Sequence, residues 1–268
     1  KSFENLHKFS YEFIKIIRLS KFISQLTRPI LETFFVTGII MLILFYLIIA
    51  NFNLNQILPI LGLFIVIGLA LGYMVKLAVN WLAIDGYVMN KGNFFLEVFG
   101  AGMVTWSAVN LEMPEAIIFS IIAMSLAGIS IIDLHTFQIP LVFIIVGLTA
   151  SIAGILFKVI FLSSALWGIF VGAFIPLVIM LLLWSITKRQ GMGYGDIQMG
   201  IVLGAWLGPM RMALTLFGAS LLSLLVWIGV SLVRGFDKDR AIPLGPFLSV
   251  AGIGSYIGSF YYPKFFHL

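Results

Sequence analysis

Apolar residues fall in long blocks along the chain, at about 33–51, 57–76, 94–110, 115–133, 139–161, 163–186, 197–209, 212–233 and 242–261, with polar and charged residues gathered between them. A helix needs about 20 apolar residues to cross a bilayer. A soluble fold could not shield so many uninterrupted runs from water. The pattern therefore predicts an all-α fold, a polytopic transmembrane helical bundle of eight or nine helices. The seventh block is short for a full crossing unless it runs on past Pro209, so eight crossings plus a partial helix is the alternative.

Composition supports that reading. Apolar residues make up 61% of the chain, against about 45–50% in soluble proteins. The net charge of +5 does not point to nucleic acid, because the basic residues sit between apolar blocks rather than in one patch with aromatics. With the N-terminus inside and each block crossing once, thirteen of the 16 Lys and Arg residues fall on one side. Only Lys158, Arg211 and Lys264 fall on the other. That bias predicts a cytoplasmic location for the loops 134–138, 187–196 and 234–241, with the lipid bilayer as the medium. Residues 5 to 30 mix Leu6, Phe9, Phe13, Ile16, Ile17 and Ile23 with Lys8, Lys15, Arg18 and Lys21, the pattern of an interfacial amphipathic helix on the inner leaflet.

With no cysteine in the chain, a disulfide framework, a Cys-ligated zinc and a thiol nucleophile are excluded. There is no internal repeat, low-complexity tract or soluble domain, and the longest polar connections run to about ten residues. Any chemistry must be built from helix ends and short loops.

An ionisable group at membrane depth is costly unless partnered, which makes each one a functional candidate. Three acids lie in or at the edge of apolar blocks on the core side: Glu97, Asp133 and Asp196. Asp133 ends one block and is followed by LHTFQIP, where Pro140 suits the start of a helix. Asp196 closes GMGYGD and opens the next apolar run, with Lys188 and Arg189 fixing that loop inside. Topology thus puts Asp133 and Asp196 on one face. Two carboxylates brought close hold one proton between them and can act as base and acid on a water. The plain alternative is that each caps a helix, which suits Asp196 in particular.

Gly191, Gly193 and Gly195 beside Asp196 would let another chain approach closely and offer an edge for an extended substrate. Their spacing matches neither a dinucleotide fingerprint nor a Walker loop. Helix dipoles add an expectation about the proton: Asp196 at a helix N-terminus would be the ionised base, and Asp133 at a C-terminus the proton holder.

These segments resemble the bacterial type IV prepilin peptidases, within the membrane proteases named for a Gly-x-Gly-Asp motif. The resemblance rests on GMGYGDIQMGIVLGAWLG from Gly191, IDLHTFQIP from Ile132 and IPLGPFLSVAG from Ile242. It implies Asp133 and Asp196 as catalytic acids, and Gly191, Gly193, Gly195, Pro243, Gly245 and Pro246 as residues that shape loops or hold substrate. Fainter echoes in LGYMVKLAVNWLA and FFLEV make Glu97 an accessory candidate, the alternative being a polar contact between helices. His135 is a second accessory candidate, read more simply as an exposed loop residue. Many members carry two Cys pairs and also N-methylate their product using S-adenosylmethionine. The absence of Cys excludes zinc binding by that motif and counts against methylation, so no metal and no cofactor are expected.

The resemblance further implies an aspartic endopeptidase of the inner (cytoplasmic) membrane, in a type IV pilus or type II secretion setting. Its partner would be a prepilin or pseudopilin with a basic leader and a Gly before an apolar helix. The expected division is residues 1–56 as a basic segment and extra span, 57–112 as a worn N-terminal family region without the zinc motif, and 113–268 as the protease domain. The same acids leave open a membrane protease for another substrate class, a proton-coupled transporter, or a catalytically dead scaffold.

Overall fold

The computed structural model describes residues 54–188, 193–237 and 241–266. The amphipathic segment, the first apolar block and Gly191 lie outside the described residues. Residues Pro59–Leu268 form one compact unit. Its helices are α1 (Leu54–Leu82), α2 (Phe95–Asn110), α3 (Met113–Thr136), α4 (Leu141–Leu156), α5 (Leu162–Thr187), α6 (Tyr194–Arg234), α7 (Gly245–Tyr261) and the four-residue α8 (Pro263–Phe266). The described residues are all-helical apart from short links, with a 3-10 turn at Ile84–Gly86.

Among the described residues, which leave out the first apolar block, seven helices reach sixteen residues or more, where the apolar blocks within them number eight. The difference arises at Gly208. The seventh and eighth apolar blocks form one element, α6, broken where Gly208 takes φ 76° and ψ 176° immediately before Pro209. Glycine tolerates that conformation without a Cβ clash, and proline cannot donate the hydrogen bond that would straighten the helix. The second arm returns beside α7 in antiparallel register: Thr215 Oγ1 donates to Ser255 Oγ at 3.1 Å, and Arg211 Nη1 donates to Ser259 Oγ at 3.3 Å.

Among the described residues, four helices are long and apolar enough to cross a membrane: Ile60–Leu82, Met113–Thr136, Leu162–Ile186 and Tyr194–Val233. The chain is a multi-pass membrane protein. α3 is its axis, packed by α2, α4 and α7. By contrast α1 and α5 turn most of their apolar surface outward, including Leu63, Val66, Trp167 and Trp184. In water such a surface would be a liability; in lipid it is the expected solvent face.

Two helix pairs approach backbone to backbone through small residues, the device used where lipid removes the usual hydrophobic drive between helices. A methyl group built on Gly168 of α5 would stand 2.0 Å from the carbonyl oxygen of Gly204 in α6, and one on Gly72 of α1 would stand 2.2 Å from that of Leu96 in α2. The first contact fixes α5 against the arm that carries Asp196. The second holds α1 and α2 together near Glu97.

Candidate active site

Asp133 lies in the last full turn of α3, which runs on to Thr136 rather than ending at the acid. Phe137 closes the helix in the left-handed conformation (φ 57°, ψ 27°), its N–H donating to the Asp133 carbonyl at 2.9 Å. The chain then runs through Gln138 and Ile139 to Pro140, the extended N-cap of α4. The Asp133 side chain is buried. Its Oδ2 accepts a hydrogen bond from the N–H of Gly245, first residue of α7, at 2.9 Å. A methyl on Gly245 would lie 2.7 Å from that oxygen and push the carboxylate aside.

Asp196 is the third residue of α6. It forms a reciprocal cap with Gly193: the Gly193 N–H donates to Asp196 Oδ2 at 3.1 Å, and the Asp196 N–H donates to the Gly193 carbonyl at 3.2 Å. The capping role foreseen for Asp196 is therefore present, and it occupies one carboxylate oxygen. Gly195, two residues into the helix, packs so tightly on Ile139 that a Cβ would sit 2.8 Å from the isoleucine Cβ.

Both acids line one open cavity of about 970 Å³. Each has one oxygen held by a backbone N–H, and neither has a basic partner among the described residues. The cavity wall is mixed: Gln138, Gln198, Ser220 and Ser223 contribute polar groups, while Ile139, Ile179, Leu224 and Trp227 contribute apolar ones. Gly193, Gly195 and Pro243 line it as well. Pro246 is buried in the first turn of α7 behind Gly245. Asp133 meets the positive end of α7 as well as the negative end of α3, so helix termini alone do not assign the proton. A coupled pair of acids titrates as a unit.

The two accessory candidates lie elsewhere. Glu97, third residue of α2, is buried and pairs with Lys76 of α1 at 3.0 Å. Neither residue lines the cavity. Lys76 also donates to the carbonyls of Lys91 (3.3 Å) and Asn93, tying down the link after α1. Sequence reasoning counted Lys76 as a charge flanking a span; in fact α1 continues for six residues beyond it. His135 is helical and half-buried rather than an exposed loop residue. Its ring stacks on Tyr87 with centroids 4.0 Å apart, and its Nδ1 lies 2.6 Å from the Ile131 carbonyl oxygen.

The second arm of α6 supplies the cavity residues that sequence reasoning missed. Ser220, Ser223 and Trp227 line the same cavity as the acids only because the chain reverses at Gly208. The Gly-Pro pair was the available signal, since it punctuates a helix.

Residues 117–228 match the type IV leader peptidase family, a span that contains both acids and ends before Gly245. Curated relatives carry the name prepilin leader peptidase/N-methyltransferase. The one from Pseudomonas aeruginosa is 27% identical over 182 residues, 67% of this chain and 55% of the relative. That from Pseudomonas putida is 33% identical over 139 residues, 52% of this chain and 48% of the relative. That from Aeromonas hydrophila is 39% identical over 79 residues, 27% of either chain. The chain thus spans from about a quarter to just over half of the length of these relatives. No solved structure matches it.

Proposed function

We propose that this chain, whose residues 117–228 match the type IV leader peptidase family, is an aspartic endopeptidase with Asp133 and Asp196 as its catalytic acids. The observation that carries this reading is the pair of carboxylates on one cavity, each held by a backbone N–H and neither offset by a cation among the described residues. A water between them would lose a proton to the ionised acid as it attacks the scissile carbonyl. The protonated acid would stabilise the forming oxyanion and then supply the leaving amine. Gly193 and Gly195 on one wall, and Pro243 before Gly245 on another, leave room for a substrate backbone in extended form.

The substrate is a prepilin or pseudopilin-like membrane protein, cut where a basic leader meets an apolar helix. The site faces the cytoplasm and the membrane is the inner one. The charge asymmetry of the sequence supports that orientation, and the relatives' names support the substrate class. Their names also include N-methyltransferase; the present reading covers proteolysis alone. The mixed cavity wall fits the reading too: polar groups beside the acids can pair with substrate amides, and Trp227, Leu224 and Ile179 suit the start of an apolar helix.

Cleavage of a prepilin-like substrate in liposomes by the wild type, Asp133→Asn and Asp196→Asn tests the proposal. Loss of cutting in both variants is the expected result. Activity surviving either change would sink the dyad. Leaders with and without Gly before the apolar stretch separate a prepilin peptidase from a membrane protease with another substrate.

A further inference from the structure

A second cluster of charge lies at the end of the bundle away from the aspartates. Arg211 bonds Ser259, fourteen residues along α7 from the Gly245 that holds Asp133, or about 21 Å at the helical rise. Against a hydrocarbon core about 30 Å thick, that displacement carries Arg211 toward the other interface. Aromatic residues gather at the same level, where Trp106 Nε1 donates to Tyr261 Oη at 3.2 Å, as is usual near headgroups.

The Arg211 guanidinium lies over the Tyr256 ring, 5.6 Å from its centroid. The Tyr256 hydroxyl donates to Glu115 Oε1 at 2.5 Å. Arg211 and Glu115 nevertheless form no ion pair. Both face a cavity of about 140 Å³, walled also by Ser164, Trp206 and Phe161. Glu115 Oε2 and most of the guanidinium N–H groups have no protein partner among the described residues. The cavity thus presents a cation and an anion that are not in direct contact. Its wall includes the apolar, outward-facing Phe161, 77% exposed, and the residues next in sequence to its lining on that side, such as Leu162, are exposed and apolar as well. A ligand entering past these residues comes from the lipid phase.

We propose that this cavity binds the headgroup of an amine-bearing zwitterionic phospholipid, phosphatidylethanolamine in chemical type. Arg211 receives the phosphate and Glu115 the ammonium. Arg–phosphate bonds are charge-assisted and directional, and an ammonium with its N–H groups intact can donate to Glu115 Oε2. A trimethylated headgroup cannot donate there. An anionic headgroup without an amine leaves Glu115 uncompensated.

The full chain in detergent, titrated with dioleoyl phosphatidylethanolamine, phosphatidylcholine or phosphatidylglycerol and read by native mass spectrometry, tests this. Preferential retention of phosphatidylethanolamine by about tenfold or more is expected, the worth of one charge-assisted bond. Glu115→Gln and Arg211→Met should each abolish the preference. Glu115→Gln keeps the shape of the side chain and decides the matter if Arg211→Met does not fold. Equal retention of the three lipids, preference for phosphatidylglycerol, or a preference that survives Glu115→Gln would overturn the assignment.

Discussion

Glu97 and Asp196 occupy the same place in their helices. Each is the third residue, in the first turn of α2 and of α6 respectively, where the positive end of the helix favours an acid. Their surroundings differ. Glu97 is enclosed and paired with Lys76 at 3.0 Å, whereas Asp196 opens onto a cavity that also holds Asp133 and no described cation. A paired buried acid makes structure. An acid left without a counter-charge, at a cost in stability, is the kind that sites of chemistry retain. Position on a helix does not tell the two apart; the partner does.

The largest test of this contrast removes the unpaired charges. Asp133→Asn and Asp196→Asn should each lower cleavage by about 10²–10⁴-fold, the usual worth of a general acid or base. The thermal midpoint of each variant in detergent should match or exceed that of the wild type. A variant that lost its fold along with its activity would place the aspartates in the same class as Glu97.

Breaking the paired site should do the reverse. Lys76→Met leaves Glu97 buried and alone, and should cost about 3–5 kcal/mol of stability. The double change Lys76→Met with Glu97→Leu should recover most of that, because two apolar groups of similar volume replace the pair without an orphaned charge. A thermal double-mutant cycle measures the coupling. Cleavage per folded molecule should change little, since neither residue lines the cavity.

A smaller effect is expected where the backbone positions the acid. Gly245→Ala would place a methyl 2.7 Å from Asp133 Oδ2 and force the carboxylate aside. Displacements on the order of 1 Å cost up to about 10²-fold in rate. The loss should appear in kcat more than in KM, with the fold intact by circular dichroism.

The contrast also explains what could be read from sequence. Asp133, Asp196 and the glycines beside Asp196 were visible because an acid at the edge of an apolar block is rare and therefore informative. The partner of Glu97 was not visible. Lys76 stands where a block seemed to end, so it was counted as a flanking charge, and only the antiparallel packing of α1 on α2 through Gly72 and Leu96 brings it to Glu97. The Ser220, Ser223 and Trp227 wall was hidden for a related reason. Its approach to the two aspartates depends on the reversal at Gly208, a tertiary fact carried by one backbone conformation. The seventh and eighth apolar blocks meet at the same place: sequence allows two crossings or a crossing and a partial helix, and the chain builds one broken element from them.

The smallest prediction joins the two regions. Lys76 holds the carbonyls of Lys91 and Asn93, and the link between α1 and α2 touches the cavity rim through one exposed bond, Gln138 Nε2 donating to Asp85 Oδ2 at 2.7 Å. Gln138 lines the cavity. Ala83, Asp85 and Gly86 all take positive φ, at 39°, 49° and 74°, so the turn that presents Asp85 is held in a left-handed shape disfavoured for the first two. An exposed bond of this kind is worth about 0.5–1.5 kcal/mol, which bounds the effect of Asp85→Ala at roughly two- to tenfold. On the proposed mechanism that loss falls on KM, because Gln138 lines the cavity where a substrate would lie rather than supplying either carboxylate. A loss confined to kcat would mean that the link acts on the aspartates themselves, and the separation between a structural ion pair and a chemical dyad would then be less complete than the geometry implies.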